Sequence, residues 1–352
     1  MLNPNIHIMP ASHGEAIILQ CLKGDKSGVI VIDGGPYVNA KRNPFLAEVE
    51  KYLPIDLMVM THFDDDHLVG IKKFVETHRK DNPFPVKRLW TNCAKHIPFD
   101  MTENLSSAKA SSMTDALMTI SERSPLKWDF YVLDRYEDET IDFADIDVIN
   151  PRADLLDKFL NEYKAEYADN SKVGNSEAGN LSDKTEGVKD IDICMKDLAM
   201  RPKTPGNPNK YSELANMVSI SMIIRCDSFS MLALGDSFPQ EIYQSLIERG
   251  YSKENKLKVD YVKMAHHGSA ENISNDLLNI IDCDNYIIST NGGKGYKHPH
   301  REALANVLCH PDRDYGRRVY FYFSYDLGVI QSNRDEDLFN KELDKDLNYE
   351  VV

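Results

Sequence analysis

The chain has 352 residues, 42% hydrophobic and 9% aromatic, enough to bury the core of one large domain or two modest ones. Its formal net charge of -15 disfavours tight, non-specific nucleic-acid binding, because an acidic surface repels a phosphate backbone at long range. No apolar run approaches the ~20 residues that span a bilayer. The start Met1-Leu2-Asn3-Pro4-Asn5 lacks a signal-peptide pattern, and six dispersed cysteines without a C-x-x-C pair fit reduced thiols, so a cytoplasmic protein is expected.

Ala16–Leu22 and Gly28–Ile32 read as strands joined by a polar turn, and Asp33-Gly34-Gly35-Pro36 ends the second in a tight turn. Leu46–Tyr52 reads as a short helix, Leu57–Met60 as a strand and Leu68–His78 as a helix. Arg88–Trp90 predicts a strand, Ala108–Glu122 a helix, Trp128–Leu133 a strand and Asp145–Asn150 an edge strand. Residues from about Asp154 to Leu214 differ in character. Asp154–Tyr167 has helical spacing, Asp169–Lys189 is polar with few large apolar residues, and Arg201–Tyr211 carries three prolines. This stretch reads as an insertion in a single domain spanning 1–352, either a lid or an arm for a protein partner.

Beyond it, Met217–Arg225 and Phe229–Leu234 suit a hairpin, Gln240–Arg249 a helix and Val259–Met264 a strand. Asn275–Ile281, Tyr286–Ser289 and Arg301–Leu308 read as helix, strand and helix, and Arg318–Tyr322 and Leu327–Gln331 close the domain. The aromatic residues within Tyr320–Tyr325 suit a strand and not a base-stacking platform. Trp90 and Trp128 are read as core.

Four polar clusters follow predicted strands: Asp33, His62–His67, Asp236 and His266–His267. Strand ends commonly collect functional side chains. If Thr61–Asp66 is extended, His62, Asp64 and Asp66 face one point while His67 turns into the following helix. Three adjacent carboxylates are unfavourable without a cation. A solvated acidic loop would explain Asp64–Asp66 alone, but both histidines at this spacing favour a metal site. His266-His267 could be a core histidine beside a surface one, and Asp236 a helix N-cap before Phe238-Pro239. His300 could simply start a helix after Pro299. His7, His78 and His310 read as structural or surface groups. His13 and His96 lie in turns that could reach a site.

The motifs Ile32-Asp33-Gly34-Gly35, Thr61-His62-x-Asp64-x-Asp66-His67-x-x-Gly70, Leu234-Gly235-Asp236 and Ala265-His266-His267-Gly268-Ser269 resemble the metallo-β-lactamase superfamily. More narrowly, with Asn216-x-x-Ser219 and His298-Pro299-His300, they resemble the hydrolase domain of the competence protein ComEC and its stand-alone relatives. The resemblance spans about residues 5 to 332. It implies an α/β fold, a four-layer αββα sandwich with two divalent metal ions at one edge, zinc or alternatively manganese. It implies that His62 and Asp64 bind the first metal, Asp66 and His67 the second, that Asp236 bridges them and that His266 completes the second site. Asp33 would support the metal loop, and Asn216, Ser269 and His298 would lie behind the ligands or against substrate. The chain departs from the wider superfamily at Asp64, where many members have histidine, and at Asn216, roughly where the third-motif histidine belongs. The harder first site makes manganese credible.

The resulting expectation is a metal-dependent hydrolase that cleaves a phosphodiester with metal-activated hydroxide, with Asp66, His267 and His300 assigned to the reaction. His267 and His300 are read as proton donors or phosphate contacts. The charge favours a small or phosphorylated substrate over long DNA. The alternatives are hydrolysis of a small ester or thioester, or a metal-stabilised interaction module without turnover.

Overall fold

A computed structural model describes residues 2–37, 39–41, 43–92, 105–138, 140–168, 189–203, 205–293 and 297–352. Six strands form the first sheet in chain order: β1 (Ile6–Ile8), β2 (Ile17–Lys23), β3 (Lys26–Ile32), β4 (Ile55–Val59), β5 (Val86–Trp90) and β6 (Lys127–Asp129). The β1–β3 pairs are antiparallel, and β3 to β6 run parallel. The second sheet uses β7 (Asp145–Asn150), β8 (Ser221–Arg225), β9 (Ser230–Ala233), β11 (Tyr261–Lys263), β13 (Asn285–Ile288), β14 (Val319–Phe323) and β15 (Tyr349–Val351). β7, β8 and β9 are antiparallel, the rest parallel. The short β10 (Leu257–Lys258) and β12 (Ile281–Asp282) pair separately.

Strand alternation builds the layers, since successive side chains point to opposite faces. Ile17, Leu19, Ile30, Ile32, Leu57 and Val59 of the first sheet meet Met222, Ile224, Met231 and Ile287 of the second in one core. Their sequence neighbours Ile18, Val31 and Met58 face outward beneath helices α1 (Phe45–Val49), α2 (Asp65–His78), α3 (Leu105–Ser121), α4 (Ala153–Ala168) and α6 (Tyr211–Met217). Ile223, Leu232, Val262 and Ile288 face α5 (Met195–Ala199), α7 (Pro239–Glu248), α8 (Asn275–Asn279), α9 (Arg301–Leu308) and α10 (Leu327–Arg334). Strands buried on both faces read as continuous apolar runs, as here. The outcome is a four-layer αββα sandwich, the metallo-β-lactamase architecture that the motif resemblance implies. No helix among the described residues is long and apolar enough to cross a membrane.

The structure departs from the sequence reading at several places. The strand expected over Trp128–Leu133 stops at Asp129, because the Asn92 side chain takes over the pairing of Val132: its Oδ1 accepts the Val132 N–H at 2.7 Å and its Nδ2 donates to the Val132 carbonyl at 2.9 Å. The strand expected from Met217 begins only at Ser221, because Met217 ends α6, in which Asn216 lies and whose Leu214 and Ala215 are buried. α2 starts at Asp65, three residues before the expected Leu68. β15 adds a parallel edge strand that the sequence reading does not include.

Within 154–214, Leu155, Leu156 and Phe159 of α4 pack in the first helical layer, and Met195 and Leu198 of α5 in the second. The buried Arg301 anchors the chain just before α5. Its guanidinium donates to the carbonyls of Asp190 at 2.8 Å, of Leu338 at 3.1 Å and of Ile193, and pairs with Asp344 at 2.5 Å. Most of the polar Asp169–Lys189 tract lies outside the described residues.

Candidate metal centre

β3 and β4 of one sheet and β9 and β11 of the other end at the same edge, and each is followed by one of the four polar clusters. The Ile220 N–H donates to the Thr61 carbonyl at 2.9 Å and the Glu15 N–H to the Asp66 carbonyl at 3.1 Å, which ties both sheets to the His62–His67 loop. Asp64 is the extended residue before α2, and Asp65, Asp66 and His67 form its first turn. Asp66 and His67 are therefore presented by a helical turn and not by strand alternation. Carboxylates there also meet the positive end of the helix.

Asp33, His266 and His267 adopt left-handed backbone conformations, with φ of 56°, 48° and 54°. A non-glycine residue held there costs roughly 1 kcal/mol or more. All three belong to the polar clusters, while Ser12, Arg135, Lys297 and Asp335 adopt the same conformation elsewhere.

The first turn of α2 docks on the 33–35 turn by two backbone bonds, Gly34 N–H to the His67 carbonyl at 2.9 Å and Gly70 N–H to the Gly35 carbonyl at 2.8 Å. A Cβ on Gly70 would sit 2.0 Å from the Gly34 oxygen, backbone against backbone. Gly70→Ala is expected to cost about 3 kcal/mol, at the upper end of overpacking effects, measured by urea unfolding.

Asp236 is the geometric centre. Its Oδ2 lies 3.4 Å from His67 Nε2 and 3.8 Å from the Nε2 atoms of His62, His266 and His267. His267 Nε2 is also 3.2 Å from Asp66 Oδ2, and His62 Nε2 is 3.7 Å from Asp64 Oδ2. Each ring is held from behind. His67 Nδ1 donates to Asp33 Oδ2 at 2.7 Å, His267 Nδ1 to the Ser289 carbonyl at 2.8 Å, and His266 Nδ1 to Asn272 Oδ1 at 3.1 Å. His62 Nδ1 meets the Thr61 hydroxyl at 3.1 Å, and that hydroxyl donates to Asp33 Oδ2 at 2.7 Å. With Nδ1 carrying the proton, the neutral form of each ring turns its Nε2 lone pair inward, the tautomer of a metal-ligating histidine.

Burial opposes charge on the His67 ring, but Asp236, Asp33 and Asp66 outweigh it and hold the imidazole well above its ordinary range. Burial likewise opposes the Asp236 carboxylate, and His67, His266 and His267 hold it well below its usual value. Asp66 is lowered too, its burial outweighed by His67 and His267. In His62, burial and His67 press the ring downward, yet Asp64 and Asp236 leave it raised.

The residues fit a cation. His62 Nε2, His67 Nε2 and Asp236 Oδ1 are buried and make no hydrogen bond, and unsatisfied buried polar atoms are costly. Two groups of ligand atoms here lie within 4.8 Å of one another: His62, His67 and Asp236, and Asp66, His67 and His267. Geometry thus places His267 beside Asp66, whereas His266 stands on the more open side with 29% of its side chain exposed.

The other residues singled out in the sequence lie around this centre. Asp33 accepts from the Thr61 N–H, the Thr61 hydroxyl and His67. Asn216 is buried with its Oδ1 unpartnered, three residues before Ser219, whose hydroxyl accepts the Asp236 N–H. Ser269 caps the turn Ala270–Asn272. His298 stacks edge-on with His266 and His300, at 4.9 and 4.8 Å between ring centres. Burial, then His266 and His300, push its pKa well below the usual value, so its ring is neutral. His300 Nδ1 accepts the Ala270 N–H at 3.0 Å. His13 sits in the turn whose next residue, Gly14, packs against the Asp66 carbonyl. His96 lies outside the described residues. His78 pairs with the exposed Asp81.

The sequence reading assigns no role to Glu15 or Lys263. They form a fully buried ion pair between the sheets, directly beneath this edge. Glu15 groups with Asp33 and His67, and Lys263 Nζ lies 3.5 Å from the Gly235 carbonyl. A lysine in the apolar run Val259–Met264 was the signal available.

No family model matches the chain, and no curated protein matches it. Among solved structures it is similar to a mutant of the CmlA β-hydroxylase, at 12% identity and a TM-score of 0.39, over 100% of this chain and 53% of that one. The chain therefore spans about half the length of that protein. It is also similar to zinc-bound PqqB from Methylobacterium extorquens, at 11% identity and a TM-score of 0.36, over 96% of this chain and 83% of that one.

Proposed function

We propose that this protein is a metal-dependent hydrolase of phosphodiesters. The observation that carries the reading is Asp236, a buried carboxylate facing four inward-turned imidazole nitrogens, with its Oδ1 and two of those nitrogens unsatisfied. His62, Asp64 and Asp236 would hold one divalent ion, and Asp66, His67 and His267 a second, with Asp236 shared. Zinc suits the imidazoles, and the carboxylates Asp64 and Asp66 also suit manganese. When bound, such ions lower the pKa of water and neutralise charge on a phosphoryl oxygen.

The chain's own groups set the rest. Asp33, Ser289 and Asn272 fix the imidazole tautomers and orientations. His266, His298 and His300 form a row of rings leading away from Asp236. Because His300 Nδ1 accepts a backbone N–H, its neutral form carries the proton on Nε2, a donor for a phosphate oxygen or a leaving alkoxide. The acidic net charge of -15 supports a small phosphorylated substrate over long nucleic acid.

The test is turnover of bis-p-nitrophenyl phosphate by protein stripped with a chelator and reloaded with zinc or manganese. Reloading is expected to restore activity, and His62→Ala or Asp66→Ala to abolish it with the circular dichroism spectrum unchanged. Activity in the stripped protein, or retained in either variant, would refute the reading. Hydrolysis of p-nitrophenyl acetate alone would point to a small-ester hydrolase, and metal binding without turnover to an interaction module.

A further inference from the structure

The cysteines are dispersed in sequence, but the sandwich brings two together. Cys21 projects from β2 into the core between the sheets and is buried. Cys226 follows β8 on the facing sheet, is half-buried, and packs against the same core. The turn carrying it is clamped to the β2–β3 hairpin. The Asp227 N–H donates to the Leu22 carbonyl at 2.7 Å, and the Gly24 N–H to the Asp227 carboxylate at 2.8 Å. These bonds fix the residues next to Cys21 and Cys226, and both side chains enter the same core from facing sheets. This end of the sandwich is remote from the metal centre, since β2 begins at the site edge opposite Ile32 and Cys21 lies further along it.

We propose that Cys21 and Cys226 are a site of oxidative modification, closing to a disulfide between the two sheets on reaction with a peroxide. The half-buried Cys226 is the attacking sulfur. Cys21, against the cost of burial and helped by Ser228 and Phe229, brings the Cys226 thiol down to about 5, which favours the reactive thiolate. The thiolate attacks one peroxide oxygen, the O–O bond breaks, and the other oxygen takes up a proton and leaves as water. Cys226 becomes a sulfenic acid. The Cys21 sulfur then attacks the Cys226 sulfur, the S–O bond breaks, and the hydroxyl leaves as water with the Cys21 proton. Two thiols and one hydrogen peroxide give one disulfide and two waters, the thiols losing two electrons.

A bond between residues so far apart in sequence restrains the unfolded chain strongly. Full-length reduced protein is treated with one equivalent of hydrogen peroxide and digested under non-reducing conditions for mass spectrometry. The expected product is a Cys21–Cys226 cross-linked peptide, reversed by dithiothreitol, with Tm raised by roughly 5 °C or more. Cys226→Ser loses both the cross-link and the shift. Cys21→Ala stops at the sulfenic acid, which dimedone traps on Cys226. A cross-link between other cysteines, over-oxidation of Cys226 without a cross-link, or no dimedone adduct in Cys21→Ala would overturn the proposal.

Discussion

Asp236→Asn is expected to lose the metal and to lower turnover of bis-p-nitrophenyl phosphate by about 10³-fold or more. The change is nearly isosteric and removes only the charge. Asp236 Oδ2 lies within 3.8 Å of the inward nitrogens of all of His62, His67, His266 and His267. A neutral amide there would turn an N–H toward those lone pairs or leave one cation without its shared anion. Interactions of several kcal/mol with the metal and its water are at stake, and each 1.36 kcal/mol is tenfold in rate. The folded structure should survive, because the Asp236 N–H bond to Ser219 and the Asn272 bond to its carbonyl are made by the backbone. Metal content by elemental analysis, activity and near-ultraviolet circular dichroism separate the cases. An Asp236→Asn protein with full metal content and undiminished turnover would sink the assignment of Asp236 as the shared ligand.

Lys263→Met is expected to destabilise the fold by about 3–5 kcal/mol, because it leaves Glu15 buried without its ion-pair partner. Both side chains are fully buried, and Lys263 is the nearest cation to the Glu15 carboxylate, with His67 a weaker influence. The pair is nonetheless a poor source of stability. Burial is the largest influence on the Glu15 carboxyl and leaves its pKa raised despite Lys263. Desolvation, with repulsion from Asp33, thus offsets much of the attraction. The double variant Glu15→Leu with Lys263→Met should therefore recover most or all of the loss, as apolar replacement of buried ion pairs often does. Urea unfolding of the two single variants and the double variant measures the coupling directly. A double variant as unstable as the sum of the singles would show no coupling between the two side chains, and one no more stable than Lys263→Met would show that the pair is a net stabiliser.

How much of this was legible in the sequence depended on whether the information was local. The strands at Ile17–Lys23, Lys26–Ile32 and Ser221–Arg225 show in the residues themselves, because strand segments buried on both faces read as continuous apolar runs. Arg301–Leu308 was likewise readable, from helical spacing after Pro299. Trp128–Leu133 was not, since a side chain 40 residues away, Asn92, ends that strand.

The same division runs through the metal centre. From sequence came the candidate ligand residues, through their place after strands, the close spacing of His62 to His67 and the motif resemblance. Tertiary structure decided which atom faces which. It started α2 at Asp65, so that Asp66 and His67 enter from a helical turn. It placed His267 and not His266 beside Asp66, through two consecutive left-handed residues and the bonds of their Nδ1 atoms to Ser289 and Asn272. It also joined Glu15 to Lys263 and brought Cys21 and Cys226 into one core, pairs that only the packing of two sheets can bring together. Side-chain direction depends on backbone angles and on partners far along the chain, and a linear pattern of residue types carries neither.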